Sequence, residues 1–203
     1  MTSVQRFLKR SFDIGVSFVG VAACLVPGAV VALIIKVSSP GPVFFVQTRV
    51  GRHGRRFRCV KLRTMYPAGE AGGSVTIAGD PRITAVGRFL RKHKLDELPQ
   101  LWNVLLGHMS LVGPRPDVPG YADQLQGDAR RLLELRPGIT GPASIYFRDE
   151  DQLLASVGNP REYNDTVIWP KKVQLNLEYL DNWRLWRDIG YMLRTVGSKR
   201  QQL

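Results

Sequence analysis

Cysteine and histidine are scarce in this sequence of 203 residues, which restricts the kinds of site that it can build. The two cysteines, Cys24 and Cys59, have no paired spacing, so neither a disulfide framework nor a dithiol or zinc motif is indicated. The three histidines, His53, His93 and His108, are scattered and form no cluster with acidic residues at metal-ligand spacing. These absences argue against zinc, redox and two-metal sites.

Acidic residues are also few, since 17 Asp and Glu stand against 29 Lys and Arg and give a formal net charge of +12. Hydrophobic residues make up 44% of the chain, which is enough for a folded core and excludes disorder for most of it. The length suits one compact domain with appendages. So basic a chain is expected to meet phosphate-bearing partners: nucleic acid, anionic lipid headgroups or nucleotide-like molecules.

The longest run without charge spans residues 14–35, and its 22 residues would measure about 33 Å as straight helix, enough to cross a bilayer. Pro27 lies just past its middle, where a proline bends a helix. Basic residues flank the run, and no acid occurs between Lys36 and Glu70, so both flanks favour the cytoplasmic side. We therefore predict a re-entrant helix-break-helix hairpin with its break at Pro27.

Three other interpretations of the apolar run compete with the hairpin. A single membrane span and a buried core helix both remain open. A cleaved signal peptide is disfavoured, because its apolar region would be shorter and a basic domain is awkward to export.

Past this run, the sequence predicts a mainly helical α+β fold. Strand-like stretches occupy residues 43–46 and 57–62, and apolar residues recur at helical spacing over residues 86–90 and 98–106. The glycine-rich residues 66–73 predict a loop, which lacks the Gly-Lys-Ser/Thr ending of a nucleotide P-loop.

Two further helical segments are predicted, over residues 121–135 and over residues 164–195 with an interruption at Pro170. The C-terminal part of the second segment mixes large apolar residues with three arginines, which is typical of an amphipathic helix at a membrane interface. The same aromatic residues would also suit the core of the globular part, and the sequence leaves both interpretations open.

The adjacent carboxylates Asp96 and Glu97 are the first candidates for chemistry. Pro99 marks the start of the next helix, so the pair is expected at or beside a helix N-terminus, where free N–H groups favour a carboxylate or a phosphate. Alone, the pair would be a helix cap. The neighbouring cations favour chemistry, because Arg91 precedes the pair and Arg115 follows it between two prolines that stiffen its backbone for bidentate phosphate contact.

Five groups of motifs follow one another in a fixed order along the chain. They are Lys-Leu-Arg-Thr-Met at residues 61–65, Asp-Pro-Arg-Ile-Thr at 80–84 with Val-Gly-Arg-Phe-Leu-Arg at 86–91, Leu-Asp-Glu-Leu-Pro-Gln-Leu-Trp-Asn-Val-Leu at 95–105, Met-Ser-Leu-Val-Gly-Pro-Arg-Pro at 109–116 and Arg-Pro-Gly-Ile-Thr-Gly at 136–141. Each motif alone is weak, but the ordered set resembles the bacterial sugar transferase family, the monotopic polyprenol-phosphate phosphoglycosyl transferases. The likeness extends over residues 6–194, and the chain resembles the minimal catalytic form of the family.

The resemblance implies transfer of a sugar-1-phosphate from a UDP-sugar to a polyprenol phosphate, with release of UMP, as the first step of glycoconjugate synthesis. It implies that Asp96 is a nucleophile that forms a covalent phosphosugar intermediate, that Glu97 completes the catalytic dyad and that Mg²⁺ is the cofactor. Glu97 would deprotonate or position the incoming lipid phosphate or, with Asp96, hold the metal, and the sequence does not separate these roles.

Four basic residues are the candidates for binding the substrate phosphates. Arg91 and Arg115, together with Mg²⁺, would neutralise the charge of the diphosphate during attack by a carboxylate. Lys61 and Arg63 match the basic strand motif of the family, and they either bind the diphosphate or belong to a solvated basic face.

The resemblance also implies a place in the cell. Residues 1–40 would form the membrane hairpin and residues 41–203 a cytosolic, membrane-associated catalytic domain with C-terminal interfacial helices. The protein would be monotopic at the cytoplasmic face of the bacterial inner membrane. The expected partners are the UDP-sugar, the polyprenol phosphate and membrane lipids, and not nucleic acid.

The chain departs from the family pattern at two places. Val26 precedes Pro27 where a serine is usual, so no side-chain hydroxyl at that position satisfies the backbone freed by the proline. Residues 142–148 replace a tryptophan-containing stretch, so a different sugar selectivity is expected. The rival hypothesis is a basic module that binds anionic lipid or nucleic acid without catalysis. That hypothesis leaves the carboxylate pair among the arginines unexplained, because carboxylates oppose phosphate binding.

Overall fold

A computed structural model describes residues 1–67 and 80–197, and it confirms a mainly helical α+β fold. Most of the loop predicted at residues 66–73 lies outside the described residues. The helices are α1 (Ser3–Ser38), α2 (Ala85–Lys92), α3 (Gln100–Leu105), α4 (Pro142–Tyr146), α5 (Glu150–Ala155), α6 (Pro160–Tyr163), α7 (Trp169–Asp181) and α8 (Leu185–Val196). The strands are β1 (Phe44–Val50), β2 (Arg56–Leu62), β3 (Ser110–Val112) and β4 (Gly138–Thr140).

Helix α1 begins with a capping box, in which the Thr2 hydroxyl accepts from the Gln5 N–H and the Gln5 side chain accepts from the Thr2 N–H. The helix continues through Pro27, so the break predicted there is not confirmed. A proline inside a helix removes one hydrogen bond and bends the helix without having to end it. By length and composition α1 is able to cross a membrane, and no residue from 18 to 34, a range described throughout, is buried.

Both ends of α1 pack against the rest of the chain. In the N-terminal half, Phe12 and Val16 pack against the main hydrophobic core, which is formed around residues of β2, β3 and α7. At the other end, Ile35 is buried against Leu62 and Leu90 in a second, smaller core. The helix is therefore seated near its two ends, and between them its residues are exposed or half-buried.

The N-terminal half of α1 is also joined to the C-terminal helices by a buried ion pair. Lys9 Nζ lies 2.6 Å from Asp188 Oδ2, and both side chains are buried. Asp188 accepts two more hydrogen bonds, from the Tyr179 hydroxyl at 2.7 Å and from the Trp183 indole N–H at 3.0 Å. Such additional bonds offset the cost of removing the charges from water.

Strands β1 and β2 form an antiparallel hairpin, which confirms both predicted strands and extends the first to Val50. Asn103 of α3 ties the hairpin to the helices, because its side chain accepts from the Val60 N–H at 3.1 Å and donates to the Arg58 carbonyl at 2.8 Å. These two bonds fix the backbone immediately before Lys61.

Strands β3 and β4 are parallel, and the chain following β3 stays close to β4. The Gly113 N–H donates to the Thr140 carbonyl at 2.9 Å, and the Gly138 N–H donates to the Pro114 carbonyl at 2.7 Å. A Cβ atom on Gly138 would lie 2.1 Å from the Gly113 nitrogen, so the approach requires glycine. This pairing holds the backbone of the segment that carries Arg115.

The α-helix predicted over residues 121–135 is wrong. The segment forms two 3₁₀ helices, Ala122–Gln124 and Gly127–Glu134. Gly127, the first residue of the second 3₁₀ helix, has φ 56°, a left-handed conformation that interrupts a continuous right-handed helix. Leu132 of the second 3₁₀ helix is nevertheless buried, so the apolar positions are used in a tighter helix.

The interruption predicted at Pro170 lies elsewhere in the C-terminal tract. Pro170 stands in the first turn of α7, directly after a π-helical turn, where a proline is tolerated. The break falls at residues 182–184. The core interpretation of the aromatic residues is confirmed for Trp183, which is 5% exposed. Trp186 is 65% exposed on α8, and its place at a membrane interface stays a prediction.

Candidate active site

Asp96 and Glu97 lie together in a 3₁₀ turn, Leu95–Glu97, directly before α3, which agrees with their expected position. Lys94 precedes the turn in the left-handed region at φ 57° and changes the chain direction after α2. Both carboxylates are buried, with Asp96 9% and Glu97 6% exposed. Two adjacent carboxylates that are buried away from water require compensating positive charge.

Two cations hold the Glu97 carboxylate. Its Oε1 atom accepts from the Arg115 guanidinium at 2.6 Å and from the Lys61 ammonium at 3.0 Å. Burial by itself raises the pKa of Glu97, but these two cations hold that pKa well below its ordinary value. The Glu97 carboxylate in turn raises the pKa of Arg115, while burial and Arg115 lower the pKa of Lys61. Glu97 therefore stays ionised and fixes two cations side by side.

Asp96 belongs to the same cluster but is held differently. Its carboxylate has no hydrogen-bond donor among the residues that the structure describes. Burial and the charge of Glu97 raise the pKa of Asp96, and Lys61 and Arg91 oppose this shift. Two adjacent acids whose pKa values are driven in opposite directions are a feature of functional sites. The Asp96 oxygens are thus available to a ligand.

The structure brings Arg91 to the edge of the cluster and keeps Arg63 out of it. Arg91, in the last turn of α2, makes a long ion pair of 3.4 Å with the exposed Asp151 of α5. Arg63 is 6% exposed, and its guanidinium donates to the carbonyl oxygens of Pro40 and Ser39, each at 2.8 Å. In place of the expected phosphate contact, Arg63 caps the chain where α1 ends.

Four charged residues that the sequence did not single out border the cluster. Arg49 of β1 donates to the carbonyl of the proline after Arg115, at 3.0 Å, and burial and the charge of Arg115 lower its pKa. Burial raises the pKa of Asp117 to about 6, against the pull of Lys172 and Arg49. Lys172 of α7 pairs with Glu150 of α5 at 2.8 Å. Of these four residues, only Asp117 could have been identified from the sequence, because it directly follows the Pro-Arg-Pro run.

The carboxylate pair is also the candidate site for a metal ion. No group of three or more His, Cys, Asp or Glu side chains able to hold a metal occurs within residues 1–67 and 80–197. Mg²⁺ is commonly held by one or two protein carboxylates, with phosphate oxygens and water completing its octahedron. The donor-free oxygens of Asp96 are suited to such an ion, and Mg²⁺ at this pair stays a prediction.

Comparison with known proteins assigns the chain to a family. It belongs to the bacterial sugar transferase family, whose model matches residues 4–201. A UDP-glucose:undecaprenyl-phosphate glucose-1-phosphate transferase of Caulobacter vibrioides is 43% identical over 173 residues, covering 82% of this chain and 60% of that protein. A protein of the same name from Escherichia coli K12 is 39% identical over 206 residues, covering 97% of this chain and 41% of that protein.

An uncharacterized sugar transferase of Bacillus subtilis, EpsL, is similar in size as well as in sequence. It is 35% identical over 189 residues, covering 93% of this chain and 85% of that protein. The two named transferases are longer, and this chain spans about half of their length.

Proposed function

We propose that this protein transfers a sugar-1-phosphate from a UDP-sugar to a polyprenol phosphate, releasing UMP and starting the synthesis of a glycoconjugate. The proposal rests on one observation: the buried Asp96–Glu97 pair, in which Glu97 holds two cations while Asp96 keeps its oxygens free of donors among the described residues. The names of the similar transferases support the same classes of donor and acceptor.

The reaction proceeds in two displacements. A carboxylate oxygen of Asp96 attacks the phosphorus that bears the sugar and forms an O–P bond, while the bond from that phosphorus to the bridging oxygen breaks and UMP leaves with the electron pair. An oxygen of the polyprenol phosphate then attacks the same phosphorus, and the Asp96 carboxylate leaves. A soluble donor and a lipid acceptor thereby use one site in turn, so ping-pong kinetics follow.

The cations of the cluster make this attack possible, since an anionic nucleophile must approach an anionic diphosphate. Glu97 engages one terminal nitrogen of Arg115, and the Arg115 side chain is 39% exposed, which leaves N–H groups for two phosphate oxygens. Binding of phosphate by Arg91 would cost only a weak interaction, because its ion pair with Asp151 is long and partly exposed. Fixed cations of this kind stabilise charge without reorganising during the reaction.

Glu97 acts as a positioning residue in this scheme. A general base works best when its pKa lies near the working pH, and the pKa of Glu97 is held far below that range. We assign to Glu97 the alignment of Arg115 and Lys61 and, with Asp96, the holding of Mg²⁺. A bound Mg²⁺ ion would supply further neutralisation of the diphosphate.

The seating of α1 supports a re-entrant placement at the cytoplasmic face of the bacterial inner membrane. Ser17 and Ile35 lie 18 residues apart, which is about 27 Å along a straight helix. Both are nevertheless buried against the same domain. A straight crossing helix would carry one of its ends away from that domain. Exposed apolar side chains on the short helices add membrane-facing surface: Phe89 58%, Trp102 55%, Leu106 66% and Trp186 65% exposed.

The test is a turnover assay on membranes that contain the protein. Polyprenol phosphate, Mg²⁺ and a panel of UDP-sugars are supplied one donor at a time, and UMP release is measured together with the mass of the protein trapped during turnover. We expect UMP with one or a few donors and an added sugar phosphate on Asp96. Absence of UMP with every UDP-sugar contradicts the reaction, and UMP release without a protein adduct contradicts the covalent step.

A further inference from the structure

A second cluster of cations lies apart from the carboxylate pair, around an open cavity beside the N-terminal half of α1. The cavity is an open cleft with about 30 Å³ of solvent-accessible space. Four arginines line it, two from α1 and two from the loops around the globular part: Arg6, Arg10, Arg52 and Arg136. Two acids line it as well, Asp13 and Glu134. The wall therefore carries excess positive charge.

Three of these four guanidinium groups, those of Arg10, Arg52 and Arg136, are held by backbone carbonyl oxygens and not by carboxylates. Arg10 donates to the Val104 and Leu105 carbonyls at 2.6 and 2.9 Å, Arg52 Nε to the Glu134 carbonyl at 2.8 Å, and Arg136 Nε to the Gly107 carbonyl at 2.8 Å. In the part of the chain that the structure describes, none of the four makes an ion pair within 4 Å. The terminal nitrogens of Arg52 and Arg136 are left for another acceptor.

The arginines also repel one another. Burial and then the charges of Arg136 and Arg6 lower the pKa of Arg52, and burial and then the charge of Arg10 lower the pKa of Arg136. Like charges held this close favour an anion between them, because the anion removes the repulsion and accepts from the free N–H groups.

The neighbourhood of the cavity indicates the kind of anion. Arg6 and Arg10 lie four residues apart on one side of α1, while Val4, Phe7 and Leu8 on the other side are 68%, 71% and 49% exposed. The same helix continues into the apolar stretch of residues 18–34, none of which is buried. A cationic face beside an exposed apolar face is typical of a helix at the level of lipid headgroups.

We propose that this cavity binds the phosphate of an anionic phospholipid headgroup, such as that of phosphatidylglycerol, and thereby fixes the N-terminal arm of α1 at the membrane surface. The site is separate from the carboxylate pair, and its ligand is neither donor nor acceptor of the proposed reaction. The proposed lipid site can therefore be tested independently of that reaction.

Binding is measured on the full chain in a neutral detergent, by following the thermal unfolding midpoint as dioctanoyl phosphatidylglycerol is added. We expect a saturable rise, a much smaller one with dioctanoyl phosphatidylcholine and a much smaller one with inorganic phosphate at equal concentration. A rise with phosphatidylcholine equal to that with phosphatidylglycerol overturns the proposal. An equal rise with inorganic phosphate overturns the lipid assignment and leaves an anion site only.

The test variant combines Arg6→Gln with Arg52→Gln, and the matched control combines Arg55→Gln with Arg56→Gln, two exposed arginines that do not line the cavity. We expect the apparent Kd for phosphatidylglycerol to weaken about 25-fold in the test variant, about fivefold for each charge, and to stay unchanged in the control. Equal affinity in both variants contradicts the site. If the double variant unfolds, Arg6→Gln alone replaces it, since Arg6 is exposed and its removal breaks no side-chain bond within the described residues.

Discussion

Arg115 and Glu97 lie 18 residues apart in sequence, yet the Arg115 guanidinium meets Glu97 Oε1 at 2.6 Å, on the same oxygen that Lys61 approaches at 3.0 Å. One buried carboxylate thus aligns two cations before any phosphate arrives. Preorganised charge of this kind lowers the cost of bringing an anionic ligand to the adjacent Asp96.

Replacing Asp96 with Asn tests the nucleophile. The amide keeps the size of the side chain and removes a buried charge, so folding is expected to be unaffected while UMP release falls at least about 1000-fold. Turnover and the unfolding midpoint are measured together, and Asp128→Asn, at an exposed aspartate, is the matched control. Full activity of the Asp96 variant would refute the role of this residue.

Replacing Arg115 with Lys separates charge from geometry. A lysine keeps the positive charge but cannot reach Glu97 and two phosphate oxygens at once, so we expect kcat/KM for the donor to fall about 100-fold. Steady-state kinetics with varied donor measure the loss, and Arg55→Lys controls for a change at an exposed arginine. A decrease of less than about threefold would show that a point charge suffices.

The pH dependence of turnover tests the coupling between Lys61 and Asp96. Burial and Glu97 raise the pKa of Asp96, and Lys61 lowers it, so Lys61→Gln should raise that pKa further. The nucleophile must be ionised, and activity is lost as the pH falls through its pKa. The acid limb of the kcat profile should therefore move to higher pH in Lys61→Gln and stay in place in Lys92→Gln, a variant at an exposed lysine. A shift to lower pH, or none, contradicts the coupling.

The pair of Lys9 and Asp188 should contribute strongly to stability. Asp188→Asn leaves a buried lysine without its counter-charge, and the free energy of unfolding is expected to fall by about 3–5 kcal/mol. Asp181→Asn, which breaks a partly exposed pair with Arg131, should cost less than about 1 kcal/mol. Denaturant unfolding in detergent compares the two variants. Equal losses in the free energy of unfolding would show that burial does not strengthen the contribution of the Lys9–Asp188 pair.

Labelling of introduced cysteines tests the topology. In a variant without the native cysteines, Ser3→Cys and Gln201→Cys are exposed in turn to an impermeant thiol reagent, on membrane vesicles of either orientation. A re-entrant α1 puts both positions on the cytoplasmic side, so both react only in vesicles that expose that side. Reaction of the two positions from opposite sides would establish a crossing helix.

Local pattern was enough to predict the hairpin strands and the helices around the carboxylate pair, because their apolar spacing and turn residues are contiguous in sequence. It was not enough for Arg63, which lies in a motif beside Lys61 but points to the end of α1, more than 20 residues earlier. Nor did it place Lys172, which reaches the site because α7 packs there. The partner of a charged side chain depends on which distant elements meet, and a single sequence does not contain that information.

The bond between Lys9 and Asp188 joins groups 179 residues apart in sequence, so the lysine is synthesised long before its partner carboxylate. Helix α1 therefore has no counter-charge for its buried lysine until the chain has been synthesised as far as α8. A product that ended before α8 would retain the apolar helix but lack this ion pair, so its α1 would be held less firmly against the rest of the chain.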